Sequence, residues 1–166
     1  LKDLGTNFKG FLYAGLMIVD NKPFLIEYNV RMGDPECQTI LPKLKSDFGE
    51  IIEACVNEKL HLIDFNWSKD KSLCIVLCSK GYPEKYENNI EIKNLNELSL
   101  KNNEFIFHAG TQEKNSKIYS NGGRVLNFVI KSDEFHKCRK KAIELIEKID
   151  WKNGFFRKDI GYKVIK

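Results

Sequence analysis

Glu27, Asn29 and Arg31 stand two apart in the stretch Phe24-Leu25-Ile26-Glu27-Tyr28-Asn29-Val30-Arg31-Met32-Gly33-Asp34-Pro35-Glu36. Alternate side chains of an extended strand share a face, so this spacing sets a carboxylate, an amide and a guanidinium side by side. Such a face is costly to bury without partners. It suits a hard cation and a phosphate: Glu27 and Asn29 offer oxygen ligands for Mg²⁺, and Arg31 offers a planar cation for phosphoryl oxygens. A plainer reading stands beside it, a surface ion pair of Glu27 with Arg31 on one strand face.

The elements that must position these groups are legible from punctuation. Residues 8–19 are apolar and broken by Gly10 and Gly15, positions where a small residue admits another backbone or a ligand. Asp20-Asn21-Lys22-Pro23 supplies a four-residue polar turn, and Phe24 to Asn29 is apolar again, so a β-hairpin is expected. Asp47, with Glu50 three residues on, caps a helix whose apolar positions are Ile51, Ile52, Cys55, Val56 and Leu60. Mixed signals over residues 60–70 mark the expected domain boundary, giving domains 1–62 and 63–166. Beyond it, strands are expected at 72–79, 90–93, 104–111, 117–120 and 124–131, with a last one in 155–165. Asn121-Gly122-Gly123 reads as a hairpin turn joining the strands at 117–120 and 124–131. Ser132-Asp133 opens an amphipathic helix with Phe135, Cys138, Ala142, Leu145, Ile146 and Ile149 on its apolar face.

Composition limits the class. The chain has 166 residues, 42% hydrophobic and 30% charged, which is the balance of a globular protein with a real core. A net charge of +4, with scattered lysines, favours small anions over nucleic acid. Five cysteines, with no C-x-x-C and no His at zinc-finger spacing, read as free thiols in a reducing cytosol. No apolar run approaches a membrane span and no signal-peptide pattern is visible, so a cytoplasmic location without a membrane partner is expected. Residue 1 is Leu rather than Met, and the opening Leu1-Lys2-Asp3-Leu4-Gly5 lacks the character of a domain start. A piece of a longer protein is the expectation.

A resemblance emerges when the strand is read with its surroundings. Glu27-x-Asn29-x-Arg31 resembles the end of an ATP-grasp nucleotide site, and Leu12-Tyr13-Ala14-Gly15-Leu16-Met17-Ile18, Arg31-Met32-Gly33-Asp34-Pro35-Glu36-Cys37-Gln38 and Lys45-Ser46-Asp47 extend it. Downstream, Gly81-Tyr82-Pro83, Phe107-His108-Ala109-Gly110-Thr111, Asn121-Gly122-Gly123-Arg124-Val125-Leu126 and Arg157-Lys158-Asp159-Ile160-Gly161 follow in order. Together these resemble the phosphoribosylamine–glycine ligases, across nearly the whole chain. The resemblance implies an α/β (α+β) fold: the C-terminal portion of an ATP-grasp domain, then a small, mainly antiparallel β domain with one packed helix.

It also implies a reaction. ATP phosphorylates the glycine carboxylate, and the amine of 5-phosphoribosylamine attacks the acyl phosphate to give glycinamide ribonucleotide, ADP and phosphate. By resemblance, Glu27 and Asn29 would bind Mg²⁺ (or Mn²⁺) bridging the ATP phosphates, and Arg31 would stabilise phosphate or acyl-phosphate charge. Asp34 and Glu36, in a rigid Gly33-Asp34-Pro35-Glu36 loop, would orient an amine or an outer water. His108, Thr111, Arg124 and Arg157 would contact substrate. For each of these four a bland alternative stays open: a turn histidine with its hydroxyl partner, a solvated hairpin arginine, a structural ion pair through Asp159.

Two departures accompany the resemblance. Many ATP-grasp enzymes have a third acidic ligand on the preceding strand, where Ala14-Gly15 stands here; the glycine ligases also lack it. Asn89 and Asn94 fall where the family tends to have glycine, and Asn is the residue that best tolerates left-handed backbone in its place. Nothing in the chain resembles the family's N-terminal substrate domain, its lid or its nucleotide-binding lysine strands. The missing N-terminal half is therefore an expected partner, and the chain alone is expected to be inactive. Two other readings remain: a non-catalytic docking or complementing module, and part of another ATP-grasp carboxylate–amine ligase. Those other ligases share Glu-x-Asn-x-Arg but not Arg-x-Gly-Asp-Pro-Glu with Asn-Gly-Gly-Arg.

Overall fold

A computed structural model describes residues 2–165. The chain falls into two compact units, one running up to Cys37 and resuming over Leu44–Ser68, the other comprising Gln38–Lys43 and the chain from Lys69 onward.

The first unit is built on a hairpin. Asp20 and Asn21 take positive φ (49° and 60°), the two-residue turn whose twist matches antiparallel strands. The turn is thus two residues rather than four, and Lys22 and Pro23 join the second strand. Strands β1 (Tyr13–Val19) and β2 (Lys22–Asn29) pair from Tyr13↔Asn29 to Val19↔Lys22, with a register shift between Gly15 and Leu16. β2 ends at Asn29, so the alternation holds for Glu27 and Asn29, while Arg31 lies in the bend beyond the strand. A short helix α1 (Glu36–Ile40) spans the junction of the units. Helix α2 (Phe48–Val56) starts where expected: Asp47 accepts the Glu50 N–H at 3.0 Å. Phe11 stacks on Phe48 at 6.0 Å, and Lys9 donates to the Val56 carbonyl at the end of that helix.

The second unit holds the core. Its strands are β3 (Lys71–Ser79), β4 (Glu91–Ile92), β5 (Glu104–His108), β6 (Thr111–Lys114), β7 (Lys117–Ser120) and β8 (Arg124–Ser132), followed by α3 (Phe135–Ile146) and β9 (Gly154–Phe155). One sheet has the order β5-β8-β3-β9 and a second the order β4-β7-β6. Helix α3 packs on β3 and β8. Cys138, Ala142, Leu145 and Ile146 of the helix meet Leu73, Ile75 and Leu77 of β3 and Leu126, Phe128 and Ile130 of β8 in one buried cluster. The spacing of the helical residues is that of a single apolar stripe.

Three expectations are corrected here. Strands β7 and β8 do not form a hairpin around Asn121-Gly122-Gly123; they lie in different sheets. The hairpin is β6 to β7, turning at Asn115 and Ser116, both with positive φ (50° and 59°). Asn121 and Gly122 do not take that conformation, because Gly122 is occupied in packing against Gly110. Glu134, rather than Ser132 or Asp133, occupies the N-cap position of helix α3, without a side-chain capping bond, and Asp133 instead bonds Lys137 at 2.8 Å. The last strand is Gly154–Phe155 alone, and the chain from Ile160 onward runs in turns. Asn89 and Asn94 do adopt left-handed backbone, with φ of 61° and 62°. All five cysteines are free thiols. No described helix is long and apolar enough to cross a membrane.

Candidate functional site

Register decides what surrounds the Glu27–Asn29 pair. Tyr13 stands opposite Asn29 and Gly15 opposite Glu27, on the same face of the hairpin. A Cβ on Gly15 would lie 3.1 Å from Glu27 Cγ, so glycine lets the carboxylate stem lie close over β1. No acidic side chain comes from β1, as the Ala14-Gly15 sequence requires. Asn29 Nδ2 donates to Glu27 Oε1 at 2.9 Å, which orients both side chains and leaves Asn29 Oδ1 and Glu27 Oε2 as oxygen donors.

That donor set is small but hard. No group of three or more His, Cys, Asp or Glu side chains suited to a metal is found among the described residues. Two oxygen ligands on a strand fit Mg²⁺ as it is held on nucleotides, where one or two side chains suffice and phosphates and waters complete the shell.

The following loop brings Glu36 back to the hairpin. Hydrogen bonding with Glu36 and its charge, then burial and more weakly the charge of Glu27, raise the Tyr13 pKa above the usual phenol value. Glu36 also folds over Gly33, where a Cβ would lie 1.8 Å from its Oε2; glycine is required there for the carboxylate to reach this position. Cys37 N–H closes the loop on the Gly33 carbonyl at 2.9 Å. Asp34 is exposed and precedes Pro35 through a cis peptide. Arg31 is exposed, with Nη1 3.4 Å from the Met32 carbonyl.

The second unit gathers its own set. His108 Nδ1, at the end of β5, and Thr111 Oγ1, at the start of β6, lie 2.9 Å apart. Gly110 sits backbone to backbone with the Asn121-Gly122-Gly123-Arg124 segment: its N–H donates to the Arg124 carbonyl at 2.9 Å, and Asn121 N–H donates to the Gly110 carbonyl at 2.7 Å. A Cβ on Gly110 would come within 2.8 Å of Gly122 Cα, so both glycines are needed for this approach. Arg124 is exposed and donates from Nη1 to the Tyr82 hydroxyl at 3.1 Å. Arg157 is held by Asp159 through Nε (3.1 Å) and Nη2 (2.7 Å), a bidentate pair that lowers the Asp159 pKa and raises that of Arg157.

Tyr13 and Tyr82 were absent from the residues singled out by spacing. Tyr13 becomes visible once β1 is paired in register with β2. Tyr82 stands in the Gly81-Tyr82-Pro83 motif, but nothing in the sequence pairs it with the distant Arg124.

A hairpin ending in an oxygen pair, followed by an antiparallel unit with one packed helix, is the layout of the end of an ATP-grasp ligase. A profile described as the phosphoribosylglycinamide synthetase C domain matches residues 72–163, and one described as the ATP-grasp (A) domain of the same enzyme matches residues 1–37. The chain belongs to the phosphoribosylglycinamide synthetase family, whose members are also named phosphoribosylamine–glycine ligases.

The phosphoribosylamine–glycine ligase of Caldanaerobacter subterraneus is 44% identical over 97% of this chain and 38% of its own length. The trifunctional purine biosynthetic protein adenosine-3 of Gallus gallus is 41% identical, over 97% of this chain and 16% of its own. The crystal structure of the Thermotoga maritima phosphoribosylamine–glycine ligase superposes with a TM-score of 0.74 at 34% identity, covering 96% of this chain and 39% of that one. This chain thus spans well under half the length of these relatives.

Proposed function

We propose that this chain supplies the C-terminal portion of an ATP-dependent ligase that joins glycine to 5-phosphoribosylamine. In the first step a glycine carboxylate oxygen attacks the γ-phosphorus of ATP, giving glycyl phosphate and ADP. In the second, the amine attacks the acyl carbon; phosphate leaves, the nitrogen loses a proton, and glycinamide ribonucleotide forms. The observation that carries this reading is the Glu27–Asn29 oxygen pair at the end of β2, in a chain that the family's two profiles match over residues 1–37 and 72–163.

Glu27 and Asn29 would hold a divalent cation, Mg²⁺ or Mn²⁺, which when bound offsets phosphoryl charge. Arg31, just past the strand, would meet a phosphate oxygen bidentately. Glu36, held by Tyr13, and Asp34 in the same loop would orient the amine. In the second unit, His108 with Thr111, and Arg124, would contact the anionic acceptor. Arg157, two of whose nitrogens are engaged by Asp159, would contribute through Nη1. The division 1–62 and 63–166 would then separate the end of the ATP-grasp domain from the C-terminal domain. A cytoplasmic location fits this chemistry.

The test is reconstitution. The chain alone should form no glycinamide ribonucleotide, since the nucleotide-binding lysine strands of the family are not in it. A polypeptide corresponding to the remaining part of the Caldanaerobacter relative should restore formation. In the restored enzyme, Glu27→Ala and Asn29→Ala should each cut kcat by about 10²-fold or more, the scale of losing one preorganised electrostatic contact. Restored activity that survives both substitutions overturns the metal assignment. Failure of the added polypeptide to bind, with activity from neither piece, favours a non-catalytic module instead.

A further inference from the structure

The most heavily engineered backbone in the second unit lies under Arg124. A Cβ on Gly123 would fall 2.0 Å from Cδ2 and 2.5 Å from Cε2 of Tyr82, so the phenol ring lies directly on the Gly123 main chain. The turn carrying Tyr82 is sewn to the same segment. Buried Ser79 donates from Oγ to the Gly122 carbonyl at 2.7 Å and from its N–H to the Gly123 carbonyl at 2.8 Å. Tyr82 N–H returns to the Ser79 carbonyl at 3.1 Å, and Gly81, at φ 100°, lets the turn pass 2.1 Å from where its Cβ would meet the Lys85 carbonyl. Tyr82 is therefore located by the backbone on both sides of it, not by loose surface contact.

What the ring then does is hold a cation. Arg124 Cζ lies 5.9 Å from the ring centroid, and Nη1 donates to the hydroxyl of the same residue at 3.1 Å. A π face and a hydroxyl acceptor on one rigid platform are two restraints on a long, exposed guanidinium. Ring packing alone would explain Gly123; it does not explain a hydroxyl placed to accept from the arginine next to it.

We propose that Tyr82 is a positioning residue for Arg124, fixing the guanidinium as a ready-made site for an anionic group of the acceptor substrate. This rests on the reading of Arg124 as an anion contact, and adds a residue that helps to preorganise it. The pairing also explains why two consecutive glycines precede the arginine: Gly122 clears the Gly110 backbone and Gly123 clears the Tyr82 ring.

Two measurements test it, on the chain itself and in the reconstituted enzyme. In the chain, the Arg124 Nε–Hε signal, assigned through Arg124→Lys, should report an ordered side chain by its heteronuclear NOE. Tyr82→Phe, which keeps the ring on Gly123, should release that order without changing the thermal midpoint. An Arg124 Nε equally ordered in Tyr82→Phe overturns the positioning role. In the reconstituted enzyme, Tyr82→Phe should raise KM for phosphoribosylamine about fivefold with kcat little changed, the scale of one hydrogen bond to a charged group. If Arg124→Ala raises that KM and Tyr82→Phe does not, the positioning role fails and the anion reading stands. If Arg124→Ala leaves KM unchanged, the anion reading itself fails, and with it the functional half of the proposal.

Discussion

The β1–β2 hairpin and the β3–β8 pair are both antiparallel, both apolar in sequence, and opposite in surroundings. In the hairpin, Leu16, Ile18, Ile26 and Tyr28 are 52–63% exposed. In β8, Val125, Leu126, Phe128, Val129 and Ile130 are at most 1% exposed. The difference lies in the covering layer. Helix α3 lays its apolar stripe on β3 and β8, whereas both strands of the hairpin keep their large side chains in solvent. A contiguous apolar patch of this kind marks an interaction surface. The region richest in proposed chemistry is therefore the one least stabilised within this chain, and the core lies elsewhere.

Substitutions that break the comparison should separate function from stability. The largest effect expected is catalytic: the 10²-fold loss for Glu27→Ala in the reconstituted enzyme should come with no change in the chain's own unfolding midpoint, because Glu27 lies on the exposed hairpin. The next is its mirror image. Phe128→Ala, at a fully buried position, should cost the second unit about 3–5 kcal/mol in denaturant unfolding. A loss under about 1 kcal/mol would mean that the core is not where the packing puts it.

Smaller effects sharpen the contrast. Ile26→Ser in the isolated chain should change stability by no more than about 0.5 kcal/mol. In the reconstituted enzyme the same change should weaken association measurably by calorimetry. An equal effect in both settings would show that the hairpin is already covered. The smallest expected effect concerns acid. Hydrogen bonds from Lys137, then Ser132, lower the Asp133 pKa from 3.8 to about 2. A depressed carboxylate contributes stability above its unfolded pKa, and that contribution fades as pH falls from about 4 to about 2. Because Asp133 is exposed the effect should be slight. Asp133→Asn should lower the melting temperature slightly near neutrality, leave it unchanged below about pH 2, and so flatten its fall across that window.

Local chemistry was legible wherever neighbours in sequence set the conformation. Asp47 and the Glu50 N–H formed the expected helix start, and Asn89 and Asn94 took the left-handed backbone expected of asparagine. Periodicity likewise identified the stripe of α3. The Asn121-Gly122 turn misled because a dipeptide preference is worth little against backbone packing from a distant segment; Gly122 was needed against Gly110. The Asn115-Ser116 turn gave a weaker signal, since serine is an uncommon occupant of positive φ. Residues 155–165 have strand-like composition, but only Gly154–Phe155 found an edge on β3 to pair with.

By itself, the sequence determined the order of most strands and of the two longer helices, the family's motifs and the spacing of Glu27 and Asn29, because each depends on residues a few positions apart; it ran β5 and the start of β6 together and did not show α1. Tertiary structure alone decided that Tyr13 holds Glu36, that Tyr82 lies on Gly123 beneath Arg124, and that β7 and β8 part into different sheets. Those outcomes hang on strand register and on which backbones can approach closely, and both are properties of the packed chain rather than of any short stretch of it.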